Sequence, residues 1–184
     1  MYYYSYMYPY HYYTKAPMYN YGRQLQYPTY HVKNNEYWYP QHKDARVTLK
    51  DYGKQPFVVN IEDAAEQNNT FRTALWTGDN LQVTLMSIPV GSDIGLEVHP
   101  NVDQFLRIEE GQGVVKMGDS ESNLTFQRNV YEDYAIMVPA GKWHNVINTG
   151  NEPLKLYSIY APPEHPYGTV HPTKAVAIAA ENHS

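Results

Sequence analysis

The sequence predicts an all-β sandwich or barrel, and three observations carry that expectation. From Phe71 onward the chain divides into nine short segments of strand-like composition, separated by glycine, proline, asparagine or aspartate. Only one convincing helix precedes them. Two of the segments, Gly91 to Gly111 and Pro139 to Asn148, place histidine, carboxylate and amide side chains at spacings a strand can gather.

The elements follow in order. Residues 1–40 hold 14 of the 20 tyrosines, and Leu25 and Val32 are their only Leu, Ile or Val residues. Without aliphatic filler or periodicity this stretch is expected to be a flexible, tyrosine-rich N-terminal arm rather than a core. Residues 41–60 read as a connector. Asn60 is a good N-cap, Glu62 and Asp63 load a first helical turn with negative charge, and Ala64 to Gln67 propagate the helix until Asn68-Asn69 ends it. Phe71 to Thr77 and Leu81 to Ile88 flank the hairpin turn Gly78-Asp79-Asn80. Further strands are expected at 95–99, 103–109, 112–117, 122–127, 134–138, 143–148 and 154–160. The alanine-rich end predicts a short helix from Thr173. The domain reading is thus arm 1–40, barrel with lead-in and helix 41–172, and C-terminal tail 173–184.

Composition excludes several function classes. A length of 184 residues suits one domain. A net charge of −5, from 14 basic and 19 acidic residues, speaks against nucleic acid as a partner. No cysteine is present, which removes disulfides, thiolate zinc sites and cysteine nucleophiles. No apolar run approaches the roughly 20 residues of a membrane span, and the N-terminus lacks a signal-peptide pattern. The expected location is cytoplasmic, with association with the spore as the alternative. Gly111-Gln112-Gly113 is not followed by a helix and reads as a strand turn, not a phosphate loop.

The chemistry concentrates in four residues. Glu97 and His99 stand two apart and share a face if extended. Gln104 lies an odd five positions beyond His99 and joins them only if the chain turns at Pro100-Asn101. His144 follows a Pro139-Ala140-Gly141 corner that aims it. A carboxylate, two imidazoles and an amide oxygen suit one divalent metal ion of the Zn, Mn, Fe, Ni or Co type.

These two segments resemble the two cupin motifs, G(X)5HXH(X)3–4E(X)6G and G(X)5PXG(X)2H(X)3N. Gly91, His99 and Gly111 match the first, and Pro139, Gly141, His144 and Asn148 the second. Glu97 replaces the first motif's leading His, Gln104 its Glu, and Asp133 the second motif's leading Gly. The resemblance covers roughly residues 70 to 162. It implies a double-stranded β-helix, the jelly-roll cupin barrel, with Glu97, His99, Gln104 and His144 as metal ligands. Gln104 either ligates or sits beside the ion. Phe71 to Gly78, Gln104 to Gly111 and Lys155 to Pro163 are also similar to a group of small bacterial cupins known as mannose-6-phosphate isomerase-like.

That resemblance implies a metal-dependent protein acting on a small polar molecule, such as a sugar or sugar phosphate. An Fe-dependent dioxygenase and a non-catalytic spore-coat or surface protein are the rivals. The tyrosine-rich arm is similar to tails of spore-coat and surface-layer proteins. Glu109 is a weak candidate for a catalytic base. Arg107, Lys155 and Tyr157 are candidate substrate contacts if they point inward, and rim or exterior residues otherwise. Trp76 and Trp143 are read as core or mouth aromatics, and His165 and His171 as surface-loop residues. Exposed sheet edges and the aromatic stretch Tyr27 to Tyr39 predict a homodimer.

Overall fold

Alternation of buried and exposed side chains decides how the strands stack, and glycine and proline decide where they stop. The computed structural model describes residues 46–181. The tyrosine-rich segment 1–40, with the expectations attached to it, lies outside these. Helix α1 (Ile61–Gln67) comes first, followed by β1 (Arg72–Thr77), β2 (Gln82–Ile88), β3 (Asp103–Glu110), β4 (Gln112–Gly118), β5 (Phe126–Tyr131), β6 (Ala135–Val138), β7 (Trp143–Asn148), β8 (Leu154–Ala161) and β9 (Val170–His171). Helix α2 (Lys174–Glu181) closes the described chain. The strands form a six-stranded sheet, order β6-β3-β8-β2-β1-β9, and a three-stranded sheet, order β5-β4-β7. Every pairing is antiparallel. This is the all-β, double-stranded β-helix expected.

Local chemistry explains most boundaries. The β1–β2 hairpin closes with the Gly78 N–H donating to the Leu81 carbonyl at 2.8 Å. Gly111, between β3 and β4, has φ +91°, a conformation that side chains with a Cβ avoid. Asp133 stands where the second motif has glycine and takes φ +69°. Aspartate tolerates this region better than most residues, and its carboxylate also accepts from Arg107 at 2.5 Å. Asn60 precedes α1 in an extended conformation, but its side chain donates to Asp63 Oδ2 and makes no cap to the backbone.

Three segments differ from expectation. Residues 95–99 form no ladder strand, only isolated bridges Asp93–Ile147 and Glu97–His144 around them. Gly91 at φ +71° and Gly95 at φ +102° break the extended run. The strand expected at 122–127 is displaced to Phe126–Tyr131, because residues 119–125 are consumed by a loop with a turn between Ser120 and Asn123. Sequence analysis missed β9, which is only two residues long. The C-terminal segment does form its helix, and Ala177 is buried in the main core.

The six-stranded sheet is covered on both faces. Its inner face contributes Met86, Ile88, Leu106, Ile108, Leu154 and Leu156 to a core shared with Val115, Met117, Val130 and Val146 of the small sheet. Its outer face carries a second cluster, in which Leu75 and Leu85 pack against Ala64 and Ala65 of α1. Lys155 ties α1 to this face. Its buried Nζ donates to the Asn68 carbonyl at 2.5 Å and to Asn69 Oδ1 at 3.1 Å.

This two-sidedness bears on four side chains whose facing the sequence left open. With Gln104, Leu106 and Ile108 turned inward, Arg107 lies on the opposite face. On β8, Leu154, Leu156, Ser158 and Tyr160 are the fully buried alternate residues, which places Lys155 and Tyr157 outside. Glu109 is the residue left over in a β-bulge between Ile108 and Glu110. Both its oxygens accept from Arg107, at 2.7 and 2.9 Å. Burial raises the Glu109 carboxyl pKa against the pull of Arg107. None of these four side chains reaches the inner face.

Leu85→Ala is expected to lower unfolding free energy by about 2–5 kcal/mol, because it opens a cavity between α1 and the sheet. Met137→Ala, at a side chain 65% exposed, is expected to change it by under about 0.5 kcal/mol. Denaturant titration followed by tryptophan fluorescence checks both.

Candidate metal centre

The site is assembled by backbone contacts between the two motif segments. Glu97 and His144 exchange both backbone hydrogen bonds, N–H of each to the carbonyl of the other, at 3.0 and 2.9 Å. Ile94 donates to Val146, and Asn148 to Ser92, so residues 92–97 run along β7 as an irregular neighbour. The Pro139–Gly141 corner closes with Lys142 N–H on the Pro139 carbonyl, and Gly141, at φ +79°, donates to the His99 carbonyl at 2.8 Å. Asn148 locks the base: its Nδ2 donates to Ile88 and Glu152 carbonyls, and its Oδ1 accepts from Gly150.

Three ligand-grade atoms meet as a result. Glu97 Oε1 lies 3.3 Å from His144 Nε2 and 3.4 Å from His99 Nε2. Among the described residues, Glu97, His99 and His144 are the group of three or more His, Cys, Asp or Glu side chains whose ligand atoms all lie within 4.8 Å. His144 is fully buried and His99 is 7% exposed.

Each imidazole is oriented from behind. His144 Nδ1 stands 3.0 Å from the Lys142 carbonyl, and His99 Nδ1 stands 3.1 Å from Glu164 Oε1. Both partners are acceptors, so each Nδ1 carries a hydrogen, and in the neutral imidazole each Nε2 then presents a lone pair. Glu97 Oε1, His99 Nε2 and His144 Nε2 are buried without a hydrogen-bond partner. Three lone pairs facing one another repel unless positive charge sits among them. Such a triad could hold a metal ion, and the donor set fits one.

Gln104 shows the same construction. It faces inward opposite Tyr160 in the β3–β8 register. Its Nε2 donates to Ser158 Oγ at 2.9 Å, which fixes the amide and leaves Oε1 buried without a partner. The Tyr160 ring stands edge-on to His99, with centroids 5.6 Å apart.

The electrostatics reflect a demand for positive charge. Burial alone would raise the Glu97 carboxyl pKa, but His144, His99 and Arg72 outweigh it and hold Glu97 well below the usual carboxylate range. The Arg72 guanidinium lies 3.9 Å from Glu97 Oε2 on the side away from the imidazoles' contacts with Oε1. Burial pushes His99 down, but Glu97 and Glu164 together raise it above its ordinary value.

Beside the triad opens a cavity of about 370 Å³, lined by Glu97, His99, Glu164, His165, Thr169 and His171, with Ala180 of α2 at its edge. His165 and His171, expected as surface-loop residues, line this cavity. Burial and then Arg72 depress His165 to a pKa of about 3, so its imidazole is neutral at ordinary pH. Sequence reasoning also missed Arg72, Tyr160 and Glu164 as members of the site. The rigid Pro162-Pro163-Glu164-His165-Pro166 run was the available signal. Trp76 is half-buried on the outer face and donates to the Gln55 carbonyl, while Trp143 is half-buried at the start of β7.

Comparison with known proteins agrees with the geometry. The cupin-domain family profile matches residues 84–160. The Bacillus subtilis (strain 168) protein YrkC is 63% identical over 175 residues, spanning 93% of this chain and 94% of its own length. Protein L612 of Acanthamoeba polyphaga mimivirus is 37% identical over 117 residues, 63% of this chain and 71% of that one. The crystal structure of BH2720 from Bacillus halodurans is 69% identical and superimposes with a TM-score of 0.70, covering 71% of this chain and 98% of that chain. By sequence, by fold and by the two segments that meet at Glu97 and His144, this chain belongs to the cupin family.

Proposed function

We propose that this cupin binds one divalent cation through Glu97 Oε1, His99 Nε2 and His144 Nε2, with Gln104 Oε1 as a fourth donor, and acts on a small polar molecule such as a sugar or sugar phosphate. The observation that carries the triad is the convergence of three buried, unpartnered ligand atoms; Gln104 joins the set because its amide is fixed by Ser158 with Oε1 buried and unpartnered. Isomerisation is the favoured chemistry. A divalent ion supplies Lewis-acid polarisation of a carbonyl oxygen. Proton movement between adjacent carbons then falls to Glu164 or His171, which line the cavity with Glu97 and His99; His165, depressed to a pKa of about 3, is too weak a base for it. Glu109 faces the other side of the sheet and drops out of that role. The dioxygenase reading keeps one supporting observation: two imidazoles and one carboxylate are the donor set of non-haem iron oxygenases.

Element-resolved analysis of protein purified without chelators separates these readings. Zinc or manganese near one equivalent supports isomerisation, and iron supports the oxygenase. Absence of any metal would sink the metal reading and favour a non-catalytic binding or structural protein. His144→Ala is expected to abolish stoichiometric uptake while the cooperative melt persists. A full equivalent retained in that variant would place the site elsewhere. Gln104→Leu is expected to weaken affinity without abolishing it, as measured by competition with a chromophoric chelator; unchanged affinity would remove Gln104 from the ligand set.

We further propose that residues 1–40 form a separable arm and that the protein is a homodimer. Leu25 and Val32 are the only Leu, Ile or Val residues of 1–40, in keeping with a barrel that does not need the arm. Deletion of residues 1–40 is expected to leave the melting temperature nearly unchanged, and a large fall would show that the arm packs into the fold. Light scattering of the full chain at micromolar concentration is expected to give about twice 21.3 kDa. A single-chain mass would refute the dimer.

A further inference from the structure

The residues beyond β8 contribute to the centre as well as to the barrel. Between β8 and β9 the chain crosses the open end of the site, and two buried polar side chains clasp it there. Gln82, fully buried on β2, accepts from the His165 N–H at 2.9 Å and donates to the His165 carbonyl at 2.8 Å. That double bond to one residue imitates a strand pairing in a loop that has none. Asp51 accepts from the Gly168 N–H at 2.9 Å, and its carbonyl accepts from the Tyr167 hydroxyl at 3.0 Å. Ala74 of β1 donates to the Thr169 carbonyl at 2.8 Å.

The clasp holds one carboxylate in a defined place, with Glu164 Oε1 3.1 Å from His99 Nδ1. We propose that Glu164, which lies outside both ligand-bearing segments, is a positioning residue of the metal centre: it fixes His99 in the Nδ1–H tautomer and turns Nε2 toward Glu97 and His144. The proposal rests on the metal reading above. Glu164 is not itself a further ligand of the same ion. The two imidazole nitrogens point in divergent directions, so a carboxylate held at Nδ1 cannot share the ion at Nε2. It is also absent from the group whose ligand atoms lie within 4.8 Å of one another. His144 obtains the same orientation from the Lys142 carbonyl two residues away. His99 has Glu164 instead, 65 positions along the chain, so one ligand is set locally and the other by the C-terminal loop. The charge of Glu164 also makes His99 a stronger donor than a carbonyl partner would.

The test uses the full-length protein, Glu164→Ala and Glu164→Gln, with Co(II) as the probe and a competing chelator to read affinity. Long-range 1H–15N NMR of the imidazoles reads the His99 tautomer in the metal-free proteins. Glu164→Ala is expected to weaken Co(II) binding by about 10–100-fold and to lose the single Nδ1–H tautomer at His99. Glu164→Gln is expected to recover the tautomer and most of the affinity, because its amide oxygen still accepts from Nδ1–H. Wild-type affinity in Glu164→Ala, or a Gln variant no better than the Ala variant, overturns the proposal. If the wild type takes up no Co(II), the metal reading fails, and the positioning role falls with it. The NMR then shows which other part survives: a tautomer lost only in the Ala variant leaves Glu164 orienting His99 in a site for some other ligand.

Discussion

The structure depends on a cluster of like lone pairs held together by the backbone. Glu97 Oε1 and the Nε2 atoms of His99 and His144 approach to 3.3–3.4 Å, and while both imidazoles are neutral nothing in their own chemistry draws these acceptors together. The reciprocal backbone pair between Glu97 and His144, and the Gly141 bond to His99, impose the approach from two chain segments. Those bonds belong to the sheet and corner that build the fold, so folding itself assembles the cluster. Arg72 on Glu97 Oε2 and Glu164 on His99 Nδ1 engage the two triad atoms that do not face the cluster. Preorganisation of this kind is what a metal centre requires, since the ligands are already desolvated and oriented before the ion arrives.

Much of this was legible because the information was local. Glycine and proline spacing gave most of the strand segments, and the two motif segments gave Glu97, His99 and His144. Even the departures from the motifs are consistent with the structure. Asp133 meets the positive φ that glycine would have met, and Gln104 presents an oxygen on the inner face where the motif has a carboxylate. The strand expected at 95–99 failed because of Gly95, yet Glu97 and His99 still converge, since bridges to β7 replace the ladder.

What went unread divides into two kinds. Facing was recoverable in principle: with Gln104 inward, Arg107 is three residues on and must face out in a regular strand. The bulge at Glu109 was less recoverable, because it depends on the register of β3 against β8. The contributions of Glu164, His165 and His171 were of the second kind. Glu164 and His165 lie in a loop, and His171 in the two-residue β9 that follows it; the loop's place is set by Gln82 and Asp51, 83 and 117 positions away from the residues they bind. No local spacing encodes such a contact.

The inner face of the large sheet also explains why the site lies at one end of the barrel. Along the β2–β8 register, Ile88 and Met86 face Leu154 and Leu156, and then Thr84 and Gln82 face Ser158 and Tyr160. Along β3 the same change occurs from Ile108 and Leu106 to Gln104. One half of the interior is therefore an apolar plug shared with Val115 and Val146 of the small sheet, and the other half is lined with polar side chains. The apolar half is the larger source of burial free energy. The polar half costs desolvation, which is tolerable only if its groups find partners. Gln82, Ser158 and one end of Gln104 find them within the protein. Glu97 Oε1, the two Nε2 atoms and Gln104 Oε1 do not. A cation held by the triad would compensate its three atoms together, so its binding free energy would add to the stability of the polar half.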